Sequence, residues 1–499
     1  MQGVTTVGII GAGPGGLVAA RWLAAQGMQP VVFEQSAALG GQWSALPGRS
    51  GVWPAMHTNT SRILTAFGDL EHRDAVVFPS AGDVHGYLNR YADAFDLRKL
   101  IHFGTRVRLV DRAGARWRLV HDGGVDYVDR VVVAPGRFHR AVIPEVAGLD
   151  GFTGSAGVTT TYDYRGAEPY RGKRMLVAGC AVSALEIAAD LAHAGAEHVT
   201  VTQRRQRYVL PKFAAGVPSD HRFFTRYATL ADESLPSAQV ERQLKEIVTA
   251  AGGSPEQYGA PAPDPSLAVA GVTLSQDYLP LVAEGRISVR PWLTSVAGSS
   301  VTYADGRTEH VDGMVFGTGY RLDLPFLGDE VRSAVGLDDV HLDVDRHTFH
   351  PDLPGLAFVG MWDQSGGYFV PLELQARWIA YVWGGRLPPL DAETMRASVA
   401  AYRARRGTPQ KTRMNVAALT FARAAGVEPR LDEWPDLHRA LLFGPLSPAS
   451  FRLVGADALP DAAARVRRDA ATFGAITSPV MTRREVDQWS LLKEAMAGR

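Results

Sequence analysis

The stretch VGIIGAGPGGLVAARWL, Val7 to Leu23, combines an apolar run, a glycine-rich turn and a helical pattern, in that order. Gly11, Gly13 and Gly16 fit the spacing G-x-G-x-x-G. In such a turn the first glycine permits the tight bend, the second lets a pyrophosphate approach the backbone, and the third lets helix and strand pack closely. The stretch therefore predicts a βα unit whose helix N-terminus faces a dinucleotide.

A carboxylate follows this turn at the spacing of a ribose-binding acid. Glu34 ends the next apolar strand, 18 residues beyond Gly16. A carboxylate at that strand end can accept hydrogen bonds from both hydroxyls of an adenosine ribose. Strand, turn, helix and acid together favour a dinucleotide site over a glycine-rich turn without a ligand.

A second, poorer copy of the arrangement, LVAGCAVSALEIAADL, spans Leu176 to Leu191. It keeps Gly179, but Ala181 and Ala184 stand where the other two glycines would be. Because alanine adds only a methyl group, a pyrophosphate can still lie above Ala181, and Ala184 still permits close packing. The alternative interpretation is a structural βα corner without a ligand.

Two arginines follow the second strand of this copy. In VTVTQRRQR, Arg204 and Arg205 stand where we expect the counterpart of Glu34. A carboxylate would repel a 2′-phosphate, whereas a guanidinium can bind it bidentately, so the pattern predicts NADPH rather than NADH. A solvated arginine run is the alternative.

Two dinucleotide sites on interleaved sheets predict hydride transfer between two cofactors, with a flavin as the resident one.

Composition narrows the class of protein. The chain has 499 residues with 52 Lys+Arg and 52 Asp+Glu, so no overall field favours nucleic acid or an anionic membrane. Strand-like sequence begins at Val4, which leaves no room for a signal peptide, and no apolar run approaches the roughly 20 residues of a membrane helix. We expect a cytoplasmic protein without a metal site that acts on a small molecule. A homodimer is left open.

The alternation of strand-like and helical segments predicts an α/β fold with two dinucleotide-binding (Rossmann-like) domains, the NADP domain being inserted in the FAD domain. The tail is expected to be mostly helical. The predicted boundaries are 1–166 and 316–450 for the FAD domain, 167–315 for the NADP domain with a lid-like excursion at about 211–280, and 451–499 for a helical C-terminal extension. The predicted strands are Val4–Ile10, Pro30–Glu34, Val131–Ala134, Arg174–Ala178, His198–Thr202, Met314–Gly317 and Leu356–Gly360.

Seven motifs in a fixed order carry a resemblance that covers most of the chain. They are GAGPGG at Gly11–Gly16, LGGQW at Leu39–Trp43, MHTNTSR at Met56–Arg62, FTGSAGVTTTYDYRG at Phe152–Gly166, FGTGY at Phe316–Tyr320, LELQARWIAYVWGGRLP at Leu372–Pro388 and FGPLSPASFRLVG at Phe443–Gly455. With these motifs the sequence resembles the flavin-containing monooxygenase family, the class B flavoprotein monooxygenases.

The resemblance implies an FAD-dependent monooxygenase, similar to the N,N-dimethylaniline monooxygenases, that uses NADPH and molecular oxygen. Oxygen would add to the flavin C4a carbon, and the (hydro)peroxide would pass one atom to a soft nitrogen or sulfur. Baeyer–Villiger oxygenation of a ketone is the alternative, and a nucleotide-binding redox sensor without turnover is an alternative of another class. The single cysteine, Cys180, excludes a disulfide reductase, which needs a cysteine pair.

The resemblance also implies roles for individual residues. Asn59 is the catalytic candidate, because a carboxamide that donates and accepts suits an atom that contacts both the flavin oxygen adduct and the nicotinamide. An Asx or ST turn is the alternative interpretation of this segment. Pro371 is expected to begin a helix that points at the flavin. The remaining implied cofactor contacts are Gln42, Trp43, Thr58, Thr60 and Gly360 for FAD or NADP, and Ser183, Ala184 and Glu186 near the NADP phosphates.

The sequence departs from the family pattern between the two units. The family hallmark is F-x-G, then a histidine, then an aromatic-basic pair. Phe152 and Gly154 match, and Tyr164 with Arg165 supplies the pair, but Thr160 stands where the histidine aligns and the spacing is two residues longer. Pro135 likewise replaces the usual threonine. These departures indicate an outlying subgroup.

Overall fold

The protein contains two parallel sheets of five strands each, joined by helices. The computed structural model describes residues 4–498, apart from residues 47, 49, 74, 75 and 409. Each glycine-rich turn follows the central strand of one sheet. The predicted α/β class with two dinucleotide-binding units is confirmed.

The first sheet is built around the N-terminal strand. All its pairings are parallel, and its order across the sheet is Leu356–Phe358, Arg130–Val133, Thr6–Ile10, Gln29–Phe33 and Ile101–His102. The central strands are buried on both faces, as expected where helices cover a parallel sheet. That burial explains the uninterrupted apolar runs seen in the sequence.

The second sheet repeats this plan. Its order is Ile287–Pro291, His198–Gln203, Arg174–Ala178, Gly313–Phe316 and Gly157–Thr160, again entirely parallel. All seven predicted strands therefore lie in one of the two sheets, with ends that differ by one or two residues. Because the edge strand Gly157–Thr160 precedes residue 167, this sheet reaches further back along the chain than the predicted insertion. The three domain boundaries themselves stay a prediction.

Each unit also carries an antiparallel three-stranded meander, which precedes the fourth strand of the first sheet and the fifth strand of the second sheet in chain order. The meanders are Val107–Ala113, Arg116–His121 and Gly124–Val128 in the first unit, and Leu293–Ala297, Ser300–Tyr303 and Thr308–His310 in the second. Four further strand pairs are Tyr208–Leu210 with Val272–Leu274, Phe213–Ala214 with Val217–Pro218, Arg140–Ala141 with Tyr320–Arg321, and Gln364–Ser365 with Thr412–Arg413.

The helices cover the sheets and make up most of the regular structure after residue 391, as predicted. In chain order they are Pro14–Ala25, Ala81–Ala94, Val182–His193, Asp220–Phe223, Arg226–Ser234, Ser237–Gly252, Leu267–Ala270, Tyr278–Ala283, Asp329–Ala334, Phe369–Trp383, Ala392–Ala404, Met414–Ala424, His438–Phe443, Ala462–Ala471 and Arg483–Ala497. None of the described helices is both long and apolar enough to cross a membrane.

The helix Phe369–Trp383 lies at the centre of the first unit, with all its residues from Phe369 to Tyr381 buried. It packs against Pro14–Ala25 on one side and Met414–Ala424 on another. It begins at Phe369, so the expectation that Pro371 is its first residue is wrong. Pro371 is the third residue, and the helix tolerates it because the first four N–H groups of a helix have no partner within the helix.

The segment 211–280, expected to be a lid or surface excursion, is in part a packed element. Its helix Arg226–Ser234 contacts Met414–Ala424, His438–Phe443 and Arg483–Ala497. Arg226 is 2% exposed and lies 3.2 Å from Glu428. The apolar positions in this segment therefore serve a core shared with the C-terminal helices. The helix Ser237–Gly252, in contrast, has a single buried residue, Val248.

A buried charge network joins the C-terminal segment to the first unit. Asp69 lies 2.7 Å from the Arg21 guanidinium and 3.0 Å from the Arg452 guanidinium. The Asp69 side chain is 6% exposed and the Arg452 side chain is 4% exposed. Glu373 accepts a hydrogen bond of 2.6 Å from the Gly68 N–H. Burial raises the pKa of Glu373, and the neighbouring Asp69 charge raises it further. Each charge here depends on its partners, because an unpaired buried charge is strongly destabilising.

Candidate active site

A cleft of about 1410 Å³ lies between the two units, where the central strands of both sheets end. Thirteen of the sixteen predicted site residues line it: Gly11, Gly13, Glu34, Gln42, Trp43, Thr58, Asn59, Thr60, Gly179, Ser183, Arg204, Arg205 and Gly360. Gly16, Ala184 and Glu186 do not. The first two lie where helix and strand pack, and Glu186 instead pairs with Lys212 at 3.2 Å.

The first turn has no room for side chains. Gly11 has φ +100°, and a Cβ there would lie 2.5 Å from the Ala134 carbonyl oxygen. A Cβ on Gly16 would lie 1.8 Å from the Gly11 carbonyl oxygen. The turn is closed by a 2.9 Å hydrogen bond from the Gly11 N–H to the Phe33 carbonyl. Both glycines are therefore required by the backbone itself.

A second glycine faces the middle glycine of this turn. A Cβ on Gly41 would lie 3.1 Å from the Gly13 Cα, and Gly41 itself has φ +57°. The two residues leave a groove without side chains at the N-terminus of the helix Pro14–Ala25, where both line the cleft. Such a groove fits a pyrophosphate, which a helix N-terminus favours through its N–H groups and dipole.

Glu34 is oriented by the backbone around it. Its Oε2 accepts a 2.8 Å hydrogen bond from the Ala12 N–H, and its Oε1 accepts one of the same length from the Ser36 N–H. A carboxylate has about four acceptor sites, so both oxygens can still accept from another donor. The 6% exposed side chain lines the cleft. Its geometry fits two ribose hydroxyls.

The second turn repeats the closing bond of the first. Gly179 has φ +132°, its N–H donates to the Thr202 carbonyl at 2.9 Å, and a Cβ on it would lie 2.4 Å from the Gly317 carbonyl oxygen. The difference lies at Ala184, whose Cβ is 2.8 Å from where a Cβ on Gly317 would be. Gly317 therefore leaves room for the Ala184 methyl group.

The matching closing bonds of the two turns fix which residues correspond. Phe33 corresponds to Thr202, so the counterpart of Glu34 is Gln203. The expectation that Arg204 and Arg205 occupy that position is thus wrong by one and two residues. The Gln203 amide donates to Gln206, and its Oε1 is buried without a partner among the described residues.

Arg204 and Arg205 nevertheless lie at the mouth of the second unit and line the cleft. The Arg204 guanidinium carbon lies 4.7 Å from the ring centroid of Trp292, a cation–π contact that orients an exposed side chain. Arg205 donates to the Val269 carbonyl at 2.9 Å. Two oriented guanidinium groups beside a dinucleotide turn fit a phosphorylated ribose.

Asn59 differs from its neighbours in having an unused polar atom. The Thr58 hydroxyl donates to the Thr60 carbonyl at 2.8 Å, and the Thr60 hydroxyl lies 2.9 Å from that of Thr65. Ser61 is bound to residues of a distant segment. The Asn59 Oδ1, in contrast, is buried without a partner among the described residues. The hydroxyls satisfy the local backbone, which leaves the carboxamide for the cleft.

The flavin side of the cleft combines a half-buried indole with a helix terminus. Trp43 packs on the core of the first unit beside the exposed Gln42. Gly360 has φ +74°, and its N–H donates to the Gln375 Oε1 at 3.1 Å. Tyr368, at the N-terminus of the helix Phe369–Trp383, also lines the cleft. The wall is planar and apolar with a few donors, which suits a ring system.

Comparison with known proteins decides the family. The sequence profile named Flavin-binding monooxygenase-like matches residues 4–495. The chain belongs to this family. Dimethylaniline monooxygenase [N-oxide-forming] 2 of Rattus norvegicus is 30% identical in a match 490 residues long that covers 91% of this chain and 89% of the relative. Flavin-containing monooxygenase 5 of Cavia porcellus is 28% identical in a match 488 residues long that covers 90% of this chain and 89% of the relative.

Solved structures share the fold of this flavin monooxygenase. S-allyl-L-cysteine S-oxygenase from Allium sativum superposes with a TM-score of 0.63 at 20% identity, over 100% of this chain and 99% of the other. Cyclohexanone monooxygenase from Rhodococcus sp. Phi1 bound to NADP+ gives a TM-score of 0.59 at 19% identity, over 77% and 85%. At these identities the likeness extends to the fold.

Membership of the family fixes the class of reaction. The protein is an FAD-dependent monooxygenase that uses NADPH. It is an enzyme, so the alternative of a redox sensor without turnover is set aside. The contacts of the first turn and Glu34 fit FAD, and those of the second turn with Arg204 fit NADPH, so the cofactors meet chemically suitable donors on both sides of the cleft.

The altered family hallmark has a structural explanation in this monooxygenase. A Cβ on Gly154 would lie 2.2 Å from the Phe152 ring, so the phenyl ring of this F-x-G motif packs directly on the glycine. The Thr160 hydroxyl donates to Asp163 at 2.8 Å, which ends the strand locally. The Tyr164 hydroxyl donates to Asp190 at 2.6 Å, in the helix of the second turn. The hallmark residues of this chain therefore make contacts within one unit, and a threonine at position 160 can make such a contact.

Several residues of the cleft escaped the sequence analysis. Gly41 and Gly317 lie in motifs that were noted as wholes, and a repeated glycine at those positions was the available signal. Trp292, Gln203 and Thr273 belong to none of the seven family motifs. They become recognisable only when the strands after Arg174–Ala178 are placed side by side, since they come from different parts of the chain.

Proposed function

We propose that the protein transfers one oxygen atom from dioxygen to a soft nitrogen or sulfur atom of a small organic molecule. The observation that carries the proposal is the Asn59 carboxamide, whose Oδ1 is buried and unpartnered in a cleft lined by both glycine turns. The rat relative at 30% identity is named as N-oxide-forming, which supports nitrogen as the acceptor atom.

The residues divide the work of binding. Gly11, Gly13 and Gly41 leave space for the FAD pyrophosphate, and Glu34 accepts from its ribose. Gly179 with Ser183 would take the NADPH pyrophosphate, and Arg204 the 2′-phosphate. Reduced FAD, when bound, activates dioxygen for transfer to the substrate.

Asn59 would hold the reacting groups in place. A primary amide offers two N–H donors and an acceptor oxygen, so it can contact the flavin edge and the nicotinamide amide at the same time. Trp43 and Tyr368 in the same cleft would exclude water from the ring system, which limits loss of the activated oxygen as hydrogen peroxide. Thr58 and Thr60 keep the Asn59 backbone fixed through their hydroxyl bonds.

Substitution of Asn59 tests the proposal. We expect Asn59→Ala to retain FAD and to oxidise NADPH, while product per NADPH falls about 10- to 100-fold and hydrogen peroxide accounts for the difference, as for loss of one positioned polar group. Peroxide, product and NADPH are measured together, with a thioether, a tertiary amine and a cyclic ketone as substrates. Thr420→Ala, whose hydroxyl bonds only its own helix, is the control.

Two outcomes would contradict the proposal. Unchanged coupling of NADPH to product in Asn59→Ala would remove Asn59 from the reaction. A lactone or ester from the ketone, with no oxide from the amine or thioether, would favour Baeyer–Villiger oxygenation instead.

A further inference from the structure

A buried acid and a buried imidazole contact the Asn59 segment from outside the cleft. The Asp220 Oδ2 accepts a 2.6 Å hydrogen bond from the Ser61 N–H, and the His221 Nε2 lies 3.2 Å from the Ser61 Oγ. The Ser61 hydroxyl also hydrogen-bonds the Asp220 carboxylate. All three side chains are at most 2% exposed. We call Asp220 and His221 the Ser61 clasp.

The bonds of the clasp define its protonation. If the Ser61 hydroxyl donates to Asp220, it accepts from His221, so the imidazole carries its proton on Nε2. The His221 Nδ1 then has no partner among the described residues. This arrangement differs from a hydrolytic triad, because the carboxylate binds the serine rather than the imidazole and the serine hydroxyl is fully buried.

The clasp lowers the stability of the fold at neutral pH. Burial raises the pKa of Asp220 to about 6 and lowers that of His221 to about 4, the Arg62 charge contributing to the latter. Because the folded chain holds the Asp220 proton more tightly than the unfolded chain, stability falls as pH rises from 3.8 to about 6. A residue that destabilises the fold at the pH at which the enzyme works is expected to have a functional role.

The surroundings offer few compensating charges. Besides Arg62, the charged groups near the clasp are Arg222 and Glu485, which line a separate cavity of about 330 Å³ next to His221. Glu485 is already bound by Arg439 at 2.9 Å. The second Asp220 oxygen, Oδ1, is buried without a partner in the described part of the chain. Ser61 is therefore the main partner of the Asp220 carboxylate.

We propose that Asp220 and His221 are positioning residues for oxygen transfer: by binding both polar groups of Ser61 they hold Asn59, two residues earlier, in the cleft. The proposal rests on the function proposed for Asn59. Ser61 is the last of three anchored hydroxyl residues in the Thr58–Ser61 segment, and its polar groups are bound to residues 159 and 160 positions away. Loss of the clasp leaves the segment with the Thr58 and Thr60 hydroxyl bonds and with the backbone bonds of Thr58 to Pro79 and of Arg62 to Val77.

The clasp makes coupling depend on pH. Above pH about 6 the Asp220 carboxylate accepts from both Ser61 groups. Below that pH the protonated carboxyl competes as a donor, so the segment is held less firmly. We expect the peroxide fraction of the native enzyme to rise as pH falls from 8 to 5.5, and the same fraction in Asp220→Asn to be high and nearly independent of pH.

The test combines hydrogen–deuterium exchange with coupling, both on the FAD-loaded enzyme. We expect Asp220→Asn and Ser61→Ala to speed exchange in residues 56–66 by about 10-fold, as for one lost hydrogen bond, and to raise the peroxide fraction at pH 8. Asp469→Asn is the matched control, because burial also raises the Asp469 pKa but this residue lies on Ala462–Ala471.

The outcomes separate this proposal from the one on which it rests. Unchanged exchange in Asp220→Asn would overturn the clasp, and so would faster exchange without a change in peroxide fraction. Equal effects of Asp469→Asn would assign the result to global stability and overturn the positioning role. Unchanged coupling in Asn59→Ala would overturn the role of Asn59, and with it the catalytic half of this proposal, whereas faster exchange in Asp220→Asn would still establish its structural half.

Discussion

The turn at Gly11–Gly16 and the turn at Gly179–Ala184 share a closing hydrogen bond and a first glycine with positive φ, but they differ in what the helix meets. In the first turn a Cβ on Gly16 would lie 1.8 Å from the Gly11 carbonyl oxygen. In the second turn the helix carries Ala184, whose Cβ lies 2.8 Å from where a Cβ on Gly317 would be. The first turn thus excludes a methyl group at this helix position, and the second holds one against a glycine.

The second turn shows that the helix residue of a fingerprint has to be considered together with the strand residue that it packs against. The sequence motif records only the helix member, Ala184, so the second turn looked degraded. Gly317 is the strand residue that leaves room for the Ala184 methyl group. The two turns differ instead in charge after the second strand, with Glu34 in one and Gln203 followed by two arginines in the other. That difference fits an unphosphorylated ribose in one unit and a phosphorylated ribose in the other.

Gly16→Ala should have the largest effect, because its Cβ would lie 1.8 Å from a backbone oxygen that has no freedom to move. We expect loss of bound FAD and a fall of at least ~3 kcal/mol in the free energy of unfolding, the upper end for an overpacked site. The ratio of flavin to protein absorbance and urea unfolding measure both. Ala184→Gly is the control and should cost only about 1 kcal/mol. Full FAD content in Gly16→Ala would contradict the requirement for a glycine at this position of the first turn.

Arg204→Ala addresses the charge difference between the turns. Loss of a charge-assisted phosphate contact should raise the KM for NADPH about 10- to 100-fold and leave that for NADH unchanged. Steady-state kinetics with each nucleotide measure this. The control is Arg171→Ala, which replaces an exposed arginine on the same unit whose ion pair among the described residues is with Glu168 at 3.5 Å. Equal losses for both nucleotides would argue against a 2′-phosphate contact.

Gly317→Ala should have the smallest effect and sharpens the pairing argument. A Cβ there would lie 2.8 Å from the Ala184 Cβ and 3.1 Å from the Thr161 Cγ2, so we expect a loss of about 1–2 kcal/mol in unfolding free energy. The double variant Gly317→Ala with Ala184→Gly should recover most of that loss, which a double-mutant cycle by urea unfolding detects. Additive losses would mean that the two positions are independent.

Much of the fold could be predicted because buried parallel strands are uninterrupted apolar runs. The three missed sheet strands, Ile101–His102, Gly157–Thr160 and Ile287–Pro291, lie at sheet edges, and each contains residues that are not buried. Strand ends are set by pairing rather than by composition, which explains the misplacement of Arg204 relative to Glu34. The segment 211–280 was misjudged because its apolar partners lie more than a hundred residues away.

The site was predictable where a glycine or a motif marks the backbone, and thirteen of its sixteen predicted residues line the cleft. Roles that depend on distant contacts were not predictable. Asp220 and His221 belong to no motif, and their partner Ser61 is 159 and 160 residues away. The functions of the individual residues stay predictions until they are tested by substitution.

The contact of Arg452 with Asp69 limits how this chain can be shortened or recombined. A chain that ends before residue 451, or that takes its last fifty residues from a relative, would leave Asp69 with Arg21 as its remaining ion pair and would remove the guanidinium group 3.9 Å from Glu373. Chimeric enzymes made for new substrates should therefore exchange the segment around Asp69 together with the C-terminal helices.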